Sequence, residues 1–180
     1  MAYADVLELN RRQTRRDYAA PATTAHQQIT PLTGAASFLA YLGAAPLIAA
    51  ALTMIVDSAS GGVAQAFLVL YGAALLIFFG GVRWGVAVMK PNGPTMRSLV
   101  GAAAPMLAAL PLFAPFDANM GDAAFKMAII MALMIILLVD DLRATRRGDG
   151  APAWYLGVRV PLTVLIEVAF LVALAAGVRG

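Results

Sequence analysis

Residues 64–90 form an apolar run, AQAFLVLYGAALLIFFGGVRWGVAVMK, that is long enough to cross a lipid bilayer as a helix. A hydrocarbon core about 30 Å thick needs roughly 20 apolar residues in a helix that rises about 1.5 Å per residue. The run also contains Arg83, and a charge at membrane depth is costly unless other groups compensate it. The sequence therefore predicts a membrane helix whose arginine needs a partner.

Four further apolar runs predict a bundle of about five transmembrane helices. Hydrophobic residues make up 61% of the chain and charged residues 13%, a balance that a soluble globule of 180 residues does not show. We therefore expect an all-α integral membrane protein with a transmembrane domain over residues 34–180. The predicted spans lie near residues 36–56, 64–89, 98–116, 123–139 and 158–178.

The third run is the least regular, because Pro105, Pro111 and Pro115 each remove a backbone donor. It is predicted to be kinked or partly re-entrant. Residues 1–33 form a polar, arginine-rich arm with no secretory apolar region. The arm is interpreted as solvated or bound to lipid headgroups, with a helix docked on a partner or a mitochondrial presequence as the alternatives.

Basic residues in the loops predict the orientation of the bundle. Lysine and arginine occur in the arm and in the loops 90–97 and 140–157, whereas the loop near Asp57 has none and the loop near Asp117 has none before Lys126. Cytoplasmic loops carry the excess of positive charge, so the N-terminus is predicted inside and the C-terminus outside. Aromatic residues beside the runs predict an interfacial belt of Trp84, Trp154 and Tyr155.

Several kinds of chemistry lack the residues that they need. The chain has no cysteine and one histidine, His26, which excludes thiolate metal sites and a haem held by two of its own histidines. The spacing of Met127, Met131 and Met134 favours packing over metal binding. No catalytic motif is present, so we expect no catalytic residue, no metal, no intrinsic cofactor and no nucleic acid partner, while a bound lipid or quinone remains open.

Ionisable residues inside the runs are the candidate site. Arg159, Thr163 and Glu167 follow at i, i+4 and i+8 and predict one polar stripe facing protein. By depth, Arg83 is predicted to pair with Glu167. Two alternatives stay open, namely a Glu167 that binds a proton, cation or substrate, and an Arg83 that reaches headgroups or Asp140 and Asp141 without Glu167.

Small residues on the second run predict helix packing. Gly81 and Gly85 form a small-xxx-small step with Ala74 one heptad before Gly81, and Gly80 adjoins them. Arg83 points nearly opposite to that step, so this helix is predicted to be central and to touch neighbours on two faces.

Two sequence stretches resemble the uncharacterised membrane family that includes transmembrane protein 69. They are Tyr71-Gly72-Ala73 running into Gly80-Gly81-Val82-Arg83-Trp84-Gly85, and Pro152-Ala153-Trp154-Tyr155 followed by Arg159-Val160-Pro161-Leu162-Thr163. The resemblance covers about residues 34–178. It implies a bacterial inner membrane or a mitochondrial inner membrane and implies no activity. Glu167 belongs to no pattern shared with that family.

These features favour a non-enzymatic membrane protein that acts by association. The leading hypothesis is an accessory or assembly subunit of a larger energy-transducing complex, in contact with membrane lipids and other integral membrane subunits. A small transporter or channel-like protein using Arg83 and Glu167 is the alternative. A lipid- or quinone-binding membrane enzyme is a third, and it requires a polar pocket near Arg83, Asp140 and Arg159.

Overall fold

The computed structural model describes residues 31–57, 60–114 and 122–177, and these residues are helical without strands. Five helices are long and apolar enough to cross a membrane when the third is counted together with the 3-10 turn that extends it. The fold class predicted from the sequence is therefore confirmed. The elements in chain order are α1 (Pro31–Val56), α2 (Gly61–Val88), α3 (Met96–Ala109), the 3-10 turn (Leu110–Phe113), α4 (Ala123–Arg146) and α5 (Ala153–Gly177).

The predicted arm lies almost wholly outside the described residues, since α1 begins at Pro31. Two other helices also extend past their predicted limits. Helix α4 continues to Arg146 instead of ending near residue 139, and α5 begins at Ala153 instead of near residue 158. The added turns carry charged and aromatic residues that a hydropathy pattern does not recognise as helix.

The third span is irregular at its prolines, which is the irregularity that the sequence predicted there. Helix α3 accommodates Pro105 and then tightens into the 3-10 turn, whose second residue is Pro111. A proline lacks the N–H group that the α-helical pattern requires, so the change from α to 3-10 follows from its chemistry. The segment from Met96 to Phe113 still has the length and hydropathy of a candidate span.

Helix α2 is the central helix. It packs against α3, the 3-10 turn, α4 and α5. It also holds α1, because the Tyr71 hydroxyl donates a hydrogen bond of 2.7 Å to the Gly43 carbonyl oxygen. The shared core draws on every helix and includes Leu47, Leu76, Met134 and Phe170.

Two glycines let neighbouring helices approach α2 closely. A Cβ atom on Gly72 would lie 2.6 Å from Phe170 Cζ of α5, and one on Gly80 would lie 2.8 Å from the Ala102 carbonyl oxygen of α3. The predicted packing step makes no such contact among the described residues, where a Cβ atom on Gly81 or Gly85 would meet nothing within 4 Å, so its contact with a neighbouring helix stays a prediction. Ala74 is exposed on the same outward side of α2.

Replacing Gly80 by alanine is expected to destabilise the fold by about 1–3 kcal/mol, because a backbone carbonyl cannot easily move away from the new methyl group. The matched change Gly81→Ala places a methyl group in open space, so it should be neutral or slightly stabilising. Thermal unfolding of both variants in detergent micelles measures the difference. Equal melting temperatures would show that α2 and α3 are not in close contact at Gly80.

Candidate functional site

Four charged side chains meet at one end of the bundle, which we name the charged end. It is the end formed by the loops 89–95 and 147–152. Arg83 lies five residues before the end of α2, Asp140 and Asp141 lie six and five residues before the end of α4, and Arg159 lies six residues after the start of α5. At about 1.5 Å per residue, all four lie within about 9 Å of a helix end.

Arg83 links three helices through its guanidinium group. Its Nε donates a hydrogen bond of 2.8 Å to Asp141 Oδ1, and its Nη2 pairs with Asp140 Oδ2. Its Nη1 donates to the Gly101 carbonyl oxygen of α3 at 3.0 Å. Each of its three nitrogen atoms is therefore used, and α2 is fixed to α3 and to α4 at the same level.

Arg159 completes the cluster from α5. Its Nε lies 3.4 Å from Asp141 Oδ2, and its side chain is buried, with 1% of the residue exposed. The guanidinium carbon sits 3.4 Å from the centroid of the Phe79 ring, a cation–π contact with α2. Two arginines and two aspartates together carry no net charge. This balance lowers the cost of burying Arg159 and Asp141, whereas the Asp140 side chain stays 51% exposed.

The predicted pair between Arg83 and Glu167 is wrong. Arg83 bonds to Asp140 and Asp141, as one of the alternatives proposed. Glu167 was predicted at the depth of Arg83 because the fifth span was expected to begin near residue 158. Because α5 begins at Ala153, Glu167 lies about 21 Å along the helix, well beyond the level of Arg83.

The stripe on α5 does face the protein at its first two positions. Arg159 and Thr163 are buried, and the Thr163 hydroxyl donates to the Arg159 carbonyl oxygen at 2.9 Å. Glu167 is partly buried, and both of its carboxyl oxygens are inaccessible. Neither oxygen has a hydrogen-bond partner among the described residues. Glu167 is therefore separate from the charged cluster.

A polar cavity of about 190 Å³ opens beside the cluster. Arg83, Asp140 and Asp141 form its inner wall, and Tyr155 of α5 contributes one side. Further from the cluster, small apolar residues share the lining with charged and hydroxyl-bearing side chains from the two loops and the adjoining helix ends: Lys90, Thr95, Arg97, Ser98, Arg147 and Asp149.

Local sequence signals build this end of the bundle. Thr95 and Ser98 form a reciprocal capping box at the start of α3. At the end of α4, Gly148 adopts a left-handed conformation with φ of 75°, and Asp149 N–H donates to the Ala144 carbonyl oxygen at 3.0 Å. This Schellman arrangement ends the helix and places Arg147 and Asp149 at the cavity.

The predicted belt residues lie at the charged end. Trp84 is near the end of α2, and Trp154 and Tyr155 open α5. Both tryptophans are about half exposed. The Trp154 and Tyr155 rings meet edge to face with centroids 6.4 Å apart. Aromatic side chains at this level are typical of a membrane–water interface.

Lys126 is a buried polar residue whose role the sequence reasoning missed. It is 1% exposed, and its Nζ donates to the Ala114 carbonyl oxygen at 2.7 Å, just after the 3-10 turn. A lysine just inside an apolar helix, after three prolines, is a signal that helix-end carbonyls need a donor. The part of the chain that the structure describes holds no group of three or more acidic or imidazole side chains placed for a metal ion.

Five candidate spans and a charge-neutral cluster between them define a multi-pass helical membrane protein. Residues 32–175 match the model of a family described as "Protein of unknown function (DUF3429)". The chain is also similar to transmembrane protein 69 of Xenopus tropicalis, with 35% identity over 132 residues. That alignment covers 72% of this chain and 49% of the relative, so the chain spans about half of the relative's length. No solved structure matches it. The chain belongs to this membrane family of unknown function.

Replacing Asp141 by asparagine is expected to destabilise the bundle by about 3–5 kcal/mol, because it removes the carboxylate that serves both Arg83 and Arg159. Asp149→Asn is the control, since that carboxylate is largely exposed and lies 4.0 Å from Lys90. Denaturant unfolding in mixed micelles measures both. A D141N protein as stable as D149N would contradict the importance of the cluster.

Replacing Glu167 by glutamine is expected to leave stability unchanged or to raise it, because no described group bonds to its carboxyl oxygens and a neutral amide costs less to bury than a carboxylate. Thermal melting and membrane abundance of the E167Q protein test this directly. A marked loss of either would show that the carboxylate has a charged partner after all.

Proposed function

We propose that this chain is a non-enzymatic membrane protein that acts by association with other integral membrane subunits. The observation that carries the proposal is the outward side of α2, where Gly81 and Gly85 leave open space at their Cβ positions. In this proposal the chain is an accessory or assembly subunit of an energy-transducing complex. Its membrane is the inner membrane of a bacterium or a mitochondrion.

Small residues favour contact between membrane helices. Lipid tails are as apolar as leucine side chains, so association in a bilayer depends on close packing of backbones rather than on the hydrophobic effect. Gly81 and Gly85 provide such a surface, with Ala74 two turns away and the exposed ring of Phe78 between them. A partner helix could approach there as closely as α3 approaches Gly80.

The position of this surface supports a role in assembly. Helix α2 packs against α3, the 3-10 turn, α4 and α5, so a partner bound beside Gly81 and Gly85 would contact the most constrained element of the fold. The inner side carries Arg83, which is already bonded within the chain. Association therefore needs no rearrangement of the charged cluster.

The alternative of a transporter or channel-like protein relied on Arg83 and Glu167 acting together. Arg83 and Glu167 do not meet, and the four side chains of the charged cluster are neutral together and joined by ion pairs, although Nη1 and Nη2 of Arg159 have no hydrogen-bond partner among the described residues. Such a cluster is suited to fixing the positions of α2, α4 and α5 rather than to binding and releasing an ion. We do not propose an enzymatic role, because Asp140 and Asp141, the carboxylates that could act as an acid or a base at the cavity, are paired with Arg83 and Arg159.

The absence of cysteine allows a direct test by cross-linking, with no background from native thiols. Gly85→Cys, labelled with a thiol-reactive photo-cross-linker, should form a specific cross-link to a neighbouring membrane subunit in intact membranes on illumination. The double variant Gly81→Leu/Gly85→Leu should lose the larger complex in mild detergent, because the added side chains keep the partner backbone away. Blue native electrophoresis measures the size of the complex.

Gly157→Leu is the matched control, since Gly157 is also a helical glycine with open space around it but lies on α5. It should keep the complex intact. A wild-type protein that behaves as a monodisperse monomer, or a complex that survives the double leucine variant, would contradict the proposal.

A further inference from the structure

The polar cavity at the charged end continues into an apolar groove of about 470 Å³. Arg83, Gly101 and Asp140 line both spaces, so the two meet at the charged cluster. The groove lies between α3 and α4. Its apolar lining consists mainly of Ala104, Pro105, Ala108, Leu133, Ile136 and Leu137.

The groove exists because α3 and α4 both pack against α2 but make few contacts with each other. On the α3 side, Ala104 and Ala108 have side chains too short to fill the gap. From Gly101 to Ala108 the groove follows about two turns of α3, or roughly 10 Å toward the middle of the bilayer. It therefore begins at a polar cavity and runs into the apolar part of the bundle.

The charges around the cavity are not balanced. Four basic residues and three acidic residues line it. Two of the acids, Asp140 and Asp141, are bonded to Arg83, and Asp149 lies 4.0 Å from Lys90. Arg97 and Arg147 form no ion pair with any residue that the structure describes. Two uncompensated cations thus face a water-accessible cavity beside the bilayer.

We propose that the cavity and the groove bind one anionic phospholipid. Its phosphate would lie between Arg97 and Arg147, and one acyl chain would occupy the α3–α4 groove. Guanidinium groups recognise phosphate through paired hydrogen bonds as well as through charge. The position of the cavity, at the helix ends, is the level at which headgroups lie.

The two parts of the site distinguish this ligand from others. A quinone ring has no anionic group to match Arg97 and Arg147. A free phosphate would use the cavity but leave the apolar groove without an occupant. Only a ligand with a negative headgroup and a hydrocarbon chain satisfies both surfaces.

Native mass spectrometry of the full chain tests the proposal, with phosphatidylglycerol and phosphatidylcholine of identical acyl chains as probes. Phosphatidylglycerol should bind more tightly. Removing a cation near a membrane surface weakens binding to anionic lipid about fivefold, so Arg97→Gln/Arg147→Gln should bind phosphatidylglycerol roughly thirtyfold more weakly. Arg146→Gln is the control, because this exposed neighbour lines neither the cavity nor the groove.

The groove is tested separately with Ala108→Phe, which should fill it and weaken binding of phosphatidylglycerol. Leu107→Phe places a ring on the outward side of α3 and should not. Melting temperatures of all variants show that each is folded. Equal affinity for the two lipids, unchanged binding in either cavity or groove variant, or displacement of the lipid by glycerol phosphate alone would overturn the proposal.

Discussion

Desolvation of charge is the constraint on which the structure of this protein depends. Arg83 and Arg159 lie on helices whose other residues are mostly apolar, and neither can face lipid without a large cost. Asp141 accepts a hydrogen bond from each of them, so a single carboxylate joins α2, α4 and α5. Arg83 adds α3 through the Gly101 carbonyl oxygen. Apolar packing alone would let these helices slide, whereas this network fixes their relative positions.

Hydropathy was sufficient to predict the five helices but not their ends. Length and apolar content identify a span because lipid demands about 20 apolar residues. The same measure ends a span at the first charged pair, as it did at Asp140 and Asp141. Helix α4 continues because Arg83 and Arg159 compensate those charges, and this compensation comes from residues far away in sequence. Likewise, the misplaced start of α5 shifted the expected depth of Glu167 and led to the wrong partner for Arg83.

The packing surface illustrates a second limit. A glycine pattern shows where helices can approach, but not which of two faces is used within the chain. Arg83 carries that information, since a charged side chain must turn toward protein. Gly80 and Gly72 lie on the side of α2 that Arg83 also occupies, and they make the close contacts. Gly81 and Gly85 point the other way. The sequence placed Arg83 opposite Gly81 and Gly85, but it did not show that the close contacts within the chain would lie on the arginine side alone.

Because Arg83 and the pair Gly81 and Gly85 lie on opposite sides of α2, the proposed lipid and the proposed partner helix bind in different places. The inner side of α2 leads through Arg83 to the cavity and the α3–α4 groove, whereas its outer side presents Gly81 and Gly85. A lipid on one side and a partner helix on the other would not compete for the same residues. Both would nevertheless act on α2, the helix that holds the bundle together. A lipid that stabilises the arrangement of α2, α3 and α4 would therefore also stabilise the surface offered to a partner, because binding to the folded arrangement alone shifts the equilibrium toward it.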